Sequence, residues 1–504
     1  MSSEDLTASR RIRGASARSD AALQQSAENY ALTLLACVAA LTAMRVIANI
    51  FANTELFFDE AQYWFWSREL AFGYYSKPPL IGWLIRGATE LCGQGEACIR
   101  SPSALIHAAT AMVIFAIGRQ LYSPRIGFWS GLTYATLPGV SLSASLISTD
   151  APLLFFVSLA LLAVLKMRDS QGWGWALLFG VAVGLGFLSK YAMVYFLLCL
   201  GLWLAWRRDD RFLLSDARFY AGLAIGAAIL APNVIWNAQN GFATLSHTAD
   251  NANWSGPLLH PVGMLEFAGG QFGVFGPVMF AVLLAYCFNW LRDPQRRAEA
   301  GRAERLLLAF SIPVILLMTM QALLSRAHAN WAAFAYVAAM VLITSALLRE
   351  GWTRLFRVSL GIHLFFALLI AAGGILAGRV ALPGADPYAR VLGWKAIAES
   401  AAGTARQGGF QAIATDRRAL AAELLYYLRD DGIPVVALRG EGPPTDHFEL
   451  TRPLDASTPR PVLLVSFRRD GPPASQLVGD REIAAGPSET RRVYFHALNA
   501  DKVR

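Results

Sequence analysis

Run after run of apolar residues, each about as long as a bilayer core is thick, decides most of what this chain can become. The runs lie at roughly 30–52, 104–121, 126–146, 151–165, 173–188, 191–206, 219–236, 264–290, 306–324, 330–348 and 357–378. A helix of about 20 residues crosses a hydrocarbon core of about 30 Å, so the pattern predicts a polytopic α-helical membrane protein with about 11 transmembrane helices. The fourth run is short, and the two runs over 173–206 are parted only by Ser189 and Lys190. Only 16% of the 504 residues are charged, against about 25% in soluble domains. The net charge of +8 calls for no nucleic acid, because cytoplasmic loops of membrane proteins are basic.

Lys and Arg set the orientation. The N-terminal tail and the loops 119–125, 166–172, 207–218, 292–305 and 349–357 hold 20 of them. The alternate loops (53–103, 147–150, 189–190, 237–263 and 325–329) hold 6, although they are longer. The basic side is cytoplasmic, which places the N-terminus inside and, with an odd number of spans, the C-terminus outside. The tail, residues 1–28, is polar, carries Arg10, Arg11, Arg13 and Arg18, and has no cleavable signal pattern. It reads as a disordered cytoplasmic start. Residues 29–378 form the transmembrane part, with 53–103 as its first outer loop.

The composition changes near residue 379. Residues 379–504 are rich in charge, yet contain strand-like runs at Gln411–Thr415, Pro434–Leu438 and Val462–Phe467, and a helical pattern at Ala419–Leu428. These predict a small α/β domain outside the membrane. It has no Gly-rich phosphate loop, nucleophile elbow or metal cluster, so its expected role is support or contact with an acceptor. No internal repeat of the kind common in secondary transporters is visible.

Residues 57–80, FFDEAQYWFWSRELAFGYYSKPPL, concentrate the chemistry. Asp59 and Glu60 are followed by Tyr63, Trp64, Phe65 and Trp66, then by Tyr74, Tyr75 and a lone Lys77 before two prolines. Aromatics at this density suit a membrane–water interface, and an acid at that depth is costly without work or a partner. The bland reading makes Asp59 a helix N-cap. Asp150, in LISTDAP, has the same alternative, as N-cap of the fourth span with Pro152 in its first turn.

Few cations lie near the outer side: Lys77, Lys190, Arg326 and His328, with Arg45 in the outer part of the first span. A desolvated phosphate needs such donors; snorkelling to headgroups is the competing use. The amide- and aromatic-rich segments 237–263, which includes His247, Trp254 and His260, and 325–336, which includes Asn330, suit sugar hydroxyls and any surface loop alike. No metal-ligand spacing is present. Cys37, Cys199 and Cys287 fall in apolar runs and read as core residues. Cys92 and Cys98, in the first outer loop, can pair in an oxidising compartment or stand as two thiols.

DEAQYW followed by GYYSKPPL resembles the first extracytoplasmic loop of the GT-C polyprenyl-phosphate-sugar glycosyltransferases. The likeness is strongest to the branch of the lipid A aminoarabinose transferase and core galacturonosyltransferases, with protein O-mannosyltransferases more distant. The resemblance covers about residues 30–350. It implies a bacterial inner-membrane enzyme that moves a sugar from a polyprenyl-phosphate donor to a lipid A, core or other envelope glycolipid acceptor, with inversion. It implies Asp59 as catalytic carboxylate beside Glu60, with Asp150 as a second acid facing the first. Lys77 would bind the donor phosphate, with Arg326, Lys190 and Arg45 as further cations. Tyr63, Tyr74, Tyr75, His328 and Asn330 would contact substrate. A lipid-linked sugar flippase and a protein O-mannosyltransferase are the alternatives.

Overall fold

The computed structural model describes residues 3–252, 259–381, 384, 386–473 and 475–499, with side chains described for 25–250 of the first segment. Trp254 lies outside the described residues. Among the described residues, seven helices are long and apolar enough to cross a bilayer: Gln25–Ile50, Glu96–Leu121, Asp150–Asp169, Ala217–Gln239, Arg302–Leu324, Ala329–Arg349 and Thr353–Leu376. The chain is a multi-pass membrane protein.

The expected span 264–290 is not one straight helix. Pro261–Val274 and Pro277–Arg292 meet at a bend of 118°, where Gly276 takes a φ of 85° and Pro277 has no N–H to extend the ladder. The run at 126–146 likewise splits at Pro138 into Pro124–Thr136 and Pro138–Ser143. Trp173–Ser189 and Tyr191–Trp206 are apolar but short. Length and apolarity therefore support seven spans, or eight with the bent pair, among the described residues. The helix holding the first run begins at Ser3, so the tail expected to be disordered is helical. The polar segment 237–263 also carries a helix, Ala243–Ala252.

Small residues let these helices approach closely. A Cβ at Gly180 would collide with the Gly222 carbonyl oxygen and the Ile225 side chain, so Trp173–Ser189 and Ala217–Gln239 pack backbone to backbone. Cys199 is buried and Cys287 partly so, but Cys37 faces outward rather than into the core.

The C-terminal part is a five-stranded sheet of β1 (Ala412–Thr415), β2 (Val435–Ala437), β3 (Val462–Ser466), β4 (Ser475–Ala484) and β5 (Thr490–Leu498), in the order β2-β1-β3-β5-β4. β1 runs parallel to β2 and β3, while β5 is antiparallel to β3 and β4. Helices Trp394–Gln407 and Arg418–Tyr427 close its main core with Ile397, Leu420, Leu424 and Leu463. The β4–β5 hairpin has no counterpart in the expected strands, because β4 is an exposed edge and carries no apolar run.

This sheet domain packs onto the helix Phe58–Arg68. Trp64, Phe65 and Trp66 join Ala421, Ala422, Tyr426 and Phe448 in one buried cluster. The Trp64 ring meets Tyr426 at 5.0 Å between centroids, and Phe65 meets Phe448 at 5.3 Å. The expected interfacial belt is thus a buried interface between the two parts of the chain. Its density of aromatics serves burial of large apolar area.

Candidate active site

The helix Phe58–Arg68 starts from an extended Phe57 and presents its two acids in opposite ways. Glu60 turns inward. Its Oε2 accepts from the Phe57 backbone N–H at 2.9 Å, its Oε1 from the Ile147 N–H at 2.9 Å, and both oxygens accept from Arg100. Glu60 and Arg100 are 2% and 3% exposed. Every strong acceptor direction is taken, so the expected catalytic use of Glu60 has no open atom to act through; the residue fastens the loop.

Asp59 turns outward and is 37% exposed. It caps no helix: Phe57 holds the N-cap position, without a side-chain bond. Its Oδ1 instead accepts from Arg418 Nη1 at 2.8 Å, a donor that also reaches Gln62 Oε1 at 2.8 Å. Asp59 opens on a cavity of about 480 Å³ that is also lined by Tyr63, Lys77, Asp150, Lys190, His328 and Asn330.

Lys77 is aimed there by a fastened loop. The Tyr74 ring stacks on Trp66 at 4.5 Å, its hydroxyl donates to the Trp66 carbonyl at 2.8 Å, and its N–H donates to the Lys77 carbonyl at 3.2 Å. Thr244 Oγ1 donates to the Tyr74 carbonyl at 2.6 Å, and Asn233 Nδ2 to the Phe72 carbonyl at 2.7 Å. Gly73 lies so close to the Trp236 ring that a Cβ would clash. Burial lowers the pKa of Lys77 below that of an ordinary lysine; Lys190 adds to the shift, while Asp59 and Asp150 oppose it. Burial, then Arg326 and Lys190, lowers His328 as well, which favours neutral imidazole.

Asp150 is not an N-cap either: Thr149 holds that position. The Asp150 carboxylate accepts from Lys190 Nζ at 2.6 Å and from Asn330 Nδ2 at 2.7 Å. Lys190 reaches it because the chain breaks between Ser189 and the 3-10 turn Tyr191–Met193.

Sequence comparison decides the family. The chain is 38% identical to the lipid A galacturonosyltransferase RgtD of Rhizobium johnstonii, across 86% of this chain and 90% of that protein. The chain belongs to the GT-C polyprenyl-phosphate-sugar glycosyltransferases. It is 27% identical to the lipopolysaccharide core galacturonosyltransferase RgtA of the same organism, across 67% of this chain and 64% of that protein. Residues 76–236 match the family described as dolichyl-phosphate-mannose-protein mannosyltransferase. The fold of the transferase follows that of ArnT from Cupriavidus metallidurans bound to undecaprenyl phosphate, with TM-score 0.66 at 16% identity over 92% of this chain and 97% of that one. The apo form of that protein gives a TM-score of 0.63.

Not every expected site residue of the transferase reaches the Asp59 cavity. Arg45 lines a separate cavity with Arg390 and Glu60, donating to the Ala135 carbonyl at 2.6 Å and to Ser141 Oγ at 3.0 Å. Arg326 lines a neighbouring cavity that meets the first at His328. Tyr74 is buried beneath the loop, and Tyr75 donates to the Pro444 carbonyl at 3.0 Å. Cys92 and Cys98 are joined by a disulfide, with Cα atoms 5.8 Å apart. The site residues that the sequence did not flag are Gln62 and Arg418. Arg418 lies 359 positions beyond Asp59, in a run of charge that reads as ordinary surface.

Proposed function

We propose that this glycosyltransferase moves galacturonic acid from a polyprenyl-phosphate carrier to a hydroxyl of lipid A, at the periplasmic face of a bacterial inner membrane. The N-terminus would be cytoplasmic, and the Asp59 cavity and C-terminal sheet periplasmic. The 38% identity to a lipid A galacturonosyltransferase over most of both chains supports this sugar and acceptor. The single structural observation that carries the chemistry is that Asp59 and Lys77 share a cavity.

In this mechanism Asp59 accepts the proton of the acceptor hydroxyl. The oxygen attacks the anomeric carbon, and the bond from that carbon to the phosphate oxygen breaks. The electron pair leaves with the polyprenyl phosphate, and the anomeric centre inverts. A positioned base supplies about 10²–10⁴-fold. Lys77 stabilises the growing charge on the phosphate in a partly desolvated site, where a fixed cation acts strongly. Asp150 holds the Lys190 ammonium and the Asn330 amide at the cavity wall.

The test is direct transfer: purified enzyme, polyprenyl-phosphate galacturonate and lipid A, with mass spectrometry and anomeric NMR of the product. A mass gain of one galacturonate with an inverted anomeric centre is expected. No gain with this pair, or retention, would overturn the proposal.

A further inference from the structure

Two of the three cations at the Asp59 site already face a carboxylate: Lys190 is held by Asp150 and Arg418 by Asp59. A polyprenyl-phosphate sugar is a phosphodiester with a single negative charge. Lys77 can meet that charge; Lys190, on the wall of the same cavity, is held by Asp150 at 2.6 Å. Arg418 reaches the site through Asp59, to which its Nη1 donates at 2.8 Å.

The described hydrogen bonds of Arg418 all run through one nitrogen of its guanidinium. Nη1 takes both Asp59 and Gln62, which stand three residues apart on one helix face. The plane sits 4.8 Å from the Phe58 ring centroid, which fixes its orientation. Among the described residues neither Nε nor Nη2 has a hydrogen-bond partner, and the side chain is 35% exposed. The Nε–Nη2 edge of a guanidinium matches a carboxylate by two parallel hydrogen bonds.

We propose that Arg418, supplied by the C-terminal domain, selects a uronic acid donor by binding the carboxylate of the transferred sugar. The inference rests on the proposed galacturonate transfer and names the residue that would enforce it. A sugar carboxylate brought next to Asp59 would place two like charges in one partly buried site, which is unfavourable without a cation between them. Arg418 would stand between them, with Nη1 kept on Asp59 and the Nε–Nη2 edge turned to the sugar. A neutral hexose, which carries a hydroxymethyl group there, neither needs nor satisfies that edge.

The experiment compares two donors that differ only at C6, polyprenyl-phosphate galacturonate and polyprenyl-phosphate galactose, with the same lipid A acceptor. kcat/KM is measured for full-length wild type and for Arg418→Ala, Arg418→Gln and Arg418→Lys, all checked for intact thermal unfolding. Wild type should favour the uronate. In Arg418→Ala and Arg418→Gln the uronate-to-galactose ratio should fall about 10- to 100-fold, the loss expected for a charge-assisted pair. Arg418→Lys should recover part of it. A ratio unchanged in folded Ala and Gln variants overturns the inference and makes Arg418 a positioning residue for Asp59. A loss that follows removal of the lipid A phosphates rather than the donor carboxylate also overturns it. Wild type that uses galactose and rejects galacturonate sinks the proposed function itself, which is a distinct result.

Discussion

Glu60 binds Arg100 side on, with Nε to Oε1 at 3.0 Å and Nη2 to Oε2 at 2.8 Å, while its neighbour Asp59 turns to the cavity and accepts from Arg418. Arg100 carries more than the ion pair: Nη1 donates to Thr54 Oγ1 at 2.9 Å and Nη2 to the Glu55 carbonyl at 2.7 Å. Two adjacent carboxylates therefore do different work. A helix turns about 100° per residue, so one acid meets the packed loop when the next meets the cavity.

Glu60→Gln should damage folding rather than chemistry. It leaves the Arg100 charge buried without its counter-ion, a loss of about 3–5 kcal/mol. A lowered Tm and poor yield are expected, with the surviving folded fraction still active per molecule. A Glu60→Gln protein of wild-type stability would refute this role.

Asp59→Asn should do the reverse. The exposed pair with Arg418 is worth about 0–1 kcal/mol, so Tm should hardly move. Donor binding should persist, and transfer should fall by about 10²–10⁴-fold. Near-wild-type turnover in the folded variant would remove Asp59 from the chemistry.

Lys77→Ala should weaken donor use by about 1.5–3 kcal/mol through loss of a charge-assisted contact. The sign of the pH effect follows from its lowered pKa. The phosphate prefers protonated Lys77, so wild-type donor affinity should fall as pH rises, starting below the ordinary lysine value of 10.5. Arg stays charged through that range, so Lys77→Arg should move the alkaline limb upward. Isothermal titration with polyprenyl phosphate reads both effects; equal affinity of Ala and wild type would return Lys77 to snorkelling.

Topology is open to reporter fusions. A reporter active only in the cytoplasm should work after Arg297 and fail when joined after Arg504. Activity at the C-terminal fusion would place the sheet domain on the other side of the membrane and exclude it from a periplasmic site.

The sequence by itself determined the membrane class, the side-to-side charge asymmetry, three of the strands and the loop that holds Asp59 and Lys77. These are local signals: apolar length, Lys and Arg counts, alternation, and a motif contained in 24 residues. The break at Ser189 and Lys190 was legible too, although its use, bringing Lys190 onto Asp150, was not. Tertiary structure decided which acid faces the cavity, because Glu60 is claimed by Arg100, a partner 40 residues away. It also moved Arg45 to another cavity, bent the helix pair at Gly276, and buried the aromatic turn under a domain that begins 300 residues later. Arg418 was beyond any local reading. A guanidinium on a surface helix carries no mark of the carboxylate it will meet, because that meeting depends on how two separately folded surfaces pack.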